Sequence, residues 1–173
     1  MVDRIDKNHS LEDLFGGLVE QVFMAEIGIC DPTLTSYLTN LLIDFVHTDK
    51  IYRLQTADGE ALRDLAAIEA GVVLPEKCDG TERTRLINRY VGDFALFWTG
   101  VYPETLRPRR RHGADRLREY MLRGKQSYSI ASELTLGSTK PPGELLAHLS
   151  EQFECCVHGL HRVRESWEEL GNN

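Results

Sequence analysis

The sequence predicts an all-α fold, a single-domain bundle of about six helices, and three observations carry that prediction. Apolar residues recur at steps of three and four along nearly all of the 173 residues, the spacing that gathers side chains on one face of an α-helix. Strict alternation of apolar and polar residues over the length of a strand is missing. Cap residues stand directly ahead of periodic stretches, Ser10, Asp31 and Asp58 among them, where a side-chain oxygen accepts from the free amides of a first turn. The apolar content of 42% is enough for one core, and the charged fraction of 27% with dispersed aromatics excludes a disordered chain.

The first helix is expected to start at Ser10, with Asp13 three residues on, leaving residues 1–9 as a flexible N-terminus. Its face is Leu11, Leu14, Phe15, Leu18, Val22, Phe23 and Ile27. Gly16 and Gly17 interrupt it at about 1 kcal/mol each relative to alanine, so they are expected to permit close packing or a bend. Asp31 followed by Pro32 opens a second helix with Leu34, Tyr37, Leu38, Leu41, Leu42, Phe45 and Val46 inward. The short connection predicts that the two pack antiparallel. Asp58 caps a third helix through Leu62, Leu65, Ala66 and Ile68, ended by Gly71, and Asp79-Gly80 marks a surface turn.

The next helix, about 82–102, is apolar on most of its circumference, from Leu86 and Ile87 to Trp98 and Val101, and is expected to be central and buried. Gly92, Leu96 and Gly100 form a narrow strip on it for another helix. Asp93 is the anomaly, a carboxylate costly to bury unless paired, and Arg89 one turn earlier is its natural partner. Pro103 closes this helix, and a fifth runs from about Ala114 to Leu136 with Leu117, Tyr120, Met121, Gly124, Tyr128, Ala131 and Leu134 on its face. Residues 137–143, with Pro141 and Pro142, read as a linker before the last helix. That helix, about 144–170, carries a heptad seam of Leu146, Leu149, Phe153, Cys156, Leu160, Val163, Trp167 and Leu170. At 1.5 Å per residue it would be about 40 Å long, so it either lies along the bundle or projects to meet a second copy as a homodimer.

Charge supplies the main functional clue. Arg107, Arg109, Arg110, Arg111, Arg116, Arg118, Arg123 and Lys125 stand against only Asp115 and Glu119, a segment of net +6 in a chain of net −7. Arginine dominates this run, which favours forked contacts to carboxylate or phosphate. The acidic balance, the pI near 5.4 and the lack of a helix-turn-helix signal speak against duplex nucleic acid. The segment is therefore expected to meet an acidic protein surface, a second copy of the chain or the acid-rich last helix, whose tail holds Glu165, Glu168 and Glu169. No apolar run approaches the ~18 residues of a membrane span, and the opening residues lack a signal-peptide pattern, so a soluble, cytoplasmic protein is expected.

Enzyme signatures are sparse. There is no Gly-x-Ser-x-Gly elbow and no phosphate-cradling glycine motif. The cysteines Cys30, Cys78, Cys155 and Cys156 show no zinc spacing and read as reduced thiols. Glu151, Glu154, His158, His161 and Glu165 recur at ligand-like spacing, yet in the heptad they face away from the seam, as a solvated stripe does. Asp44 and His47 resemble half of a di-metal motif, but no Glu-x-x-His exists to complete it, and no metal or other cofactor is expected.

Two strings, Gly92-Asp93-x-x-Leu96-Phe97-x-x-Gly100-x-Tyr102-Pro103-Glu104 and Tyr120-x-x-x-Gly124-x-x-x-Tyr128, give residues 86–134 a resemblance to an uncharacterised family of bacterial helical proteins. The resemblance implies no activity, ligand or partner. It does imply that Asp93, Tyr120 and Tyr128 form a cluster, joined by Arg89 through its one-turn spacing, in which adjoining helices bring phenols to a buried acid, whose plainest role is to satisfy that acid. The functional expectation is a non-enzymatic helical regulator or adaptor that uses Arg107, Arg109, Arg110, Arg111 and Arg116. The rival is a helical-bundle enzyme or a metal- or small-molecule-binding protein with a polar pocket around Asp93 or around Asp44 and His47.

Overall fold

Six α-helices follow one another as α1 (Asp3–Glu20), α2 (Pro32–Thr56), α3 (Gly80–Val101), α4 (Arg116–Glu133), α5 (Gly143–Glu151) and α6 (Phe153–Gly171). The computed structural model describes residues 3–56, 78–106 and 116–172, and side chains over 11–46, 78–106 and 116–172. A π-helical stretch, Gln21–Ile27, extends α1, and a 3-10 turn, Pro103–Thr105, follows α3. No strand occurs among the described residues. The helix expected over 58–71 and the arginines at 107, 109, 110 and 111 lie outside them.

The central helix is the one the sequence predicts. Asp79 caps α3 by accepting from the Glu82 amide at 2.8 Å, so the expected turn residue doubles as the helix start. Every residue from Phe94 to Val101 is buried, because α3 packs against α2, α4 and α6 at once. The α3–α4 pair is antiparallel and unusually close. A Cβ on Gly92 would stand 2.7 Å from the Tyr128 ring, and one on Gly124 would stand 2.7 Å from Cβ of Ala95. The small-residue strip of α3 is thus split, since Gly100 instead receives Leu160 of α6, whose Cβ would be 2.8 Å from an added methyl.

Two boundaries depart from the sequence expectation. Helix α1 begins at Asp3 rather than Ser10, so residues 3–9, expected as a flexible end, are helical. With Ile5 as their single apolar residue, they hold no periodic face to detect. Gly16 and Gly17 are passed without a break, and an added Cβ at Gly17 would meet nothing within 4 Å. The irregularity comes later, where the wide turn of Gln21–Ile27 ends at Gly28 with φ 85. Both the Gly28 and Ile29 amides donate to the Phe23 carbonyl, and the Phe23 ring packs onto Gly159 of α6. A left-handed residue at this position is why the chain needs glycine there.

The last predicted helix is interrupted once, at Gln152 with φ −100 and ψ 21, which divides it into α5 and α6. The Gln152 amide still reaches the His148 carbonyl and the Cys156 amide the Gln152 carbonyl, both at 2.9 Å, so the interruption keeps these bonds. Its heptad seam lies along the bundle: Leu146, Leu149, Phe153, Cys156 and Leu160 are all 0% exposed. The surface the sequence also offered for a second copy is consumed inside the chain, and only Leu170, at 56% exposure, is left out at the end. Before α5, Gly137 with φ 60 and a cis Lys140–Pro141 bond form the expected linker.

Candidate functional site

The polar anomaly of α3 becomes a three-helix junction. Asp93 Oδ1 accepts a 2.5 Å hydrogen bond from the Tyr37 hydroxyl of α2 and a 2.7 Å bond from the Tyr128 hydroxyl of α4. Arg89 Nε donates to the Tyr37 oxygen at 3.2 Å and stands 3.8 Å from Asp93 Oδ2. Its guanidinium also lies 5.7 Å from the centre of the Tyr37 ring, within cation–π range. A directed chain results, from Arg89 to Tyr37 to Asp93, with Tyr128 donating to the same oxygen from the other side.

The local sequence explains how each group arrives. Arg89 and Asp93 are one turn apart and share a face. Tyr37 lies on the apolar face of α2, where a phenol buries its ring and keeps its hydroxyl for a partner. Tyr128 can come close because Gly92 has no side chain in its way.

Burial pushes the Asp93 carboxyl above the usual carboxylate range, opposed by Arg89 and the two phenol bonds. Burial and the adjacent Asp93 push the Tyr37 and Tyr128 hydroxyls well above the ordinary tyrosine value. Burial disfavours the charge on Arg89, yet Tyr37 and Asp93 more than offset this and its proton is held more tightly. Both phenols are therefore hydrogen-bond donors at neutral pH, and Asp93 is the group positioned to gain or lose a proton. The Asp93 side chain retains 15% exposure.

Of the residues expected to cluster, Arg89, Asp93 and Tyr128 come together. Tyr120 does not occupy the expected place: it is 1% exposed with its ring 6.2 Å from that of Phe94. The antiparallel register sets Tyr128 beside Gly92, and Tyr120 lies eight residues earlier, about 12 Å along the helix axis. Tyr37 is the second phenol, and its position on an inward face was its visible sequence signal. Asp44 is exposed on α2, and the side chain of His47 lies outside the described residues.

Another group escaped the sequence reading. Arg85 is 3% exposed, the one charged residue in the buried set among the described residues. Its Nε and Nη2 bond the Glu82 carboxylate at 2.9 and 2.6 Å, while Nη1 is buried with no hydrogen-bond partner among the described residues.

The remaining candidates resolve into pairs. Lys125 of the basic segment bonds Glu154 of α6 at 2.9 Å. The tail acids Glu165 and Glu168 bond Arg162 and Arg164 of their own helix. Among the described residues no group of three His, Cys, Asp or Glu is placed to hold a metal ion. The Cys156 thiol is pushed up to about 12 by burial, which leaves it protonated and unreactive. Arg116, Arg118 and Arg123 lie on α4, the last two exposed. No described helix is long and apolar enough to cross a membrane.

Compared with known proteins, the chain matches no family model, no curated protein and no solved structure.

Proposed function

We propose that the chain is a non-enzymatic helical interaction protein, a regulator or adaptor, in which the arginine-rich segment 107–125 meets an acidic protein surface. The observation that carries this reading is the outer face of α4. Tyr120, Gly124, Ser127 and Tyr128 point into the core, while Arg118 and Arg123 are exposed and flank Leu122 at 61% exposure. An apolar residue framed by arginines is the composition of a docking patch, since arginine is enriched and lysine depleted at protein interfaces. The internal polar groups support the same reading. Asp93 is occupied by two phenols and an arginine that join α2, α3 and α4, an arrangement suited to fixing a scaffold.

The test is binding of a fluorescent poly-glutamate peptide by the full chain and by a variant with Arg109, Arg110 and Arg111 changed to alanine, with sedimentation recorded for both. The variant is expected to bind about tenfold more weakly, and binding by the native chain is expected to fall with salt. Equal binding and equal sedimentation by the two proteins, with unchanged circular dichroism, would remove the surface reading.

A further inference from the structure

Arg85 and Arg89 stand one turn apart on α3, a spacing that puts their Cβ atoms about 5–6 Å from each other on the same face. Arg85 is buried with Nη1 unpartnered among the described residues, and a buried donor of this kind is rare unless something absent completes it. Arg89 adjoins it at the solvent edge, its side chain 35% exposed and its Nε committed to Tyr37. One guanidinium is therefore covered and incompletely satisfied, and the other stands one turn away at the solvent edge.

We propose that Arg85 and Arg89 hold the carboxylate of a small molecule, with one oxygen on Arg85 Nη1 and the other on the Nη atoms of Arg89. The class of ligand follows from charge and access. Glu82 already balances Arg85 and Asp93 balances Arg89, so the pair suits a single negative charge better than a phosphate dianion. At 3% exposure Arg85 is out of reach of the flat surface of a folded partner, so the ligand is a small molecule. The site is separate from the α4 surface and stands or falls without it.

The experiment is a titration of the full chain, labelled with 15N-arginine, by acetate and by benzoate, with ionic strength held by chloride and inorganic phosphate as a parallel titrant. The Nε resonances of Arg85 and Arg89 should move along one saturable curve. Arg85→Lys keeps the charge but loses the planar fork, and should weaken binding at least about tenfold. Glu82→Gln releases Arg85 from its internal competitor and should tighten binding several-fold. If Arg85→Lys does not fold, Glu82→Gln decides, and unchanged or weaker binding by it would overturn the site. Resonances that stay still, or that move equally with chloride, would also overturn it, and tighter binding of phosphate than of acetate would sink the carboxylate assignment.

Discussion

Tyr128 fills the space left by Gly92 and donates from its hydroxyl to Asp93 Oδ1 at 2.7 Å, so two neighbouring residues of α3 are matched by one side chain of α4. The fit of ring against backbone and of hydroxyl against carboxylate are one contact, and a change in either should disturb both.

Removing the acid should be the most damaging single change at the junction. Asp93→Ala leaves two buried phenols and Arg89 without their acceptor, and is expected to cost about 3 kcal/mol. Tyr37→Phe and Tyr128→Phe should cost about 1 kcal/mol each. Urea denaturation of the single and double variants measures this. A double phenylalanine variant whose loss equals the sum of the two would show that the phenols do not act through a shared carboxylate oxygen.

The same carboxyl predicts an unusual pH dependence. Its folded affinity for a proton is raised above the ordinary value of 3.8 by burial, so the folded state binds this proton more tightly than the unfolded chain. The sign follows from linkage: this group's contribution is most favourable below 3.8 and declines as pH rises through the folded value. Stability of the native protein relative to Asp93→Asn should therefore fall with rising pH from about pH 4 upward. Unfolding midpoints of the two proteins across that range decide it, and a relative stability that rises instead would show that Arg89 and the phenols outweigh burial.

Close helix contact should be sensitive to a single methyl. Gly92→Ala places a Cβ 2.7 Å from the Tyr128 ring and Gly124→Ala places one 2.6 Å from Phe153. Each should destabilise by about 1–3 kcal/mol, as overpacking does. Gly17→Ala meets nothing within 4 Å and should stabilise α1 by up to about 1 kcal/mol. Thermal unfolding of the three variants should rank them in opposite directions around the native protein.

Arg164 ties the end of α3 to α6. Its Nη1 donates to the Val101 carbonyl and to Glu104 Oε1, both at 2.6 Å, and its guanidinium lies 4.8 Å from the centre of the Tyr102 ring. It satisfies a carbonyl that the helix end leaves open. Arg164→Ala should cost about 1–2 kcal/mol and Arg164→Lys less, since lysine keeps the charge but not the fork. Hydrogen exchange at Tyr102 and Thr105 should rise in the alanine variant. Unchanged exchange would show that the turn holds without it.

Much of the fold was readable because its causes are local. Asp31 and Asp79 sit next to the helices they start, accepting from amides two and three residues on. The buried run of α3 was visible as apolar residues around most of its circumference. The interruption at Gln152 left no trace in the pattern, because the heptad steps continue across it unchanged. Arg85 was equally hidden, since nothing beside it in the chain says that a charged residue four before Arg89 will be covered.

At the candidate site the divide runs between Tyr128 and Tyr37. Spacing along the chain already paired Arg89 with Asp93, because one helical turn dictates that contact wherever the helix lies. The choice of Tyr37 over Tyr120 as the second phenol belongs to tertiary structure. It depends on where α2 crosses α3 and on the register of α4, and a 2.5 Å bond between residues 56 apart forms only when those helices have already packed.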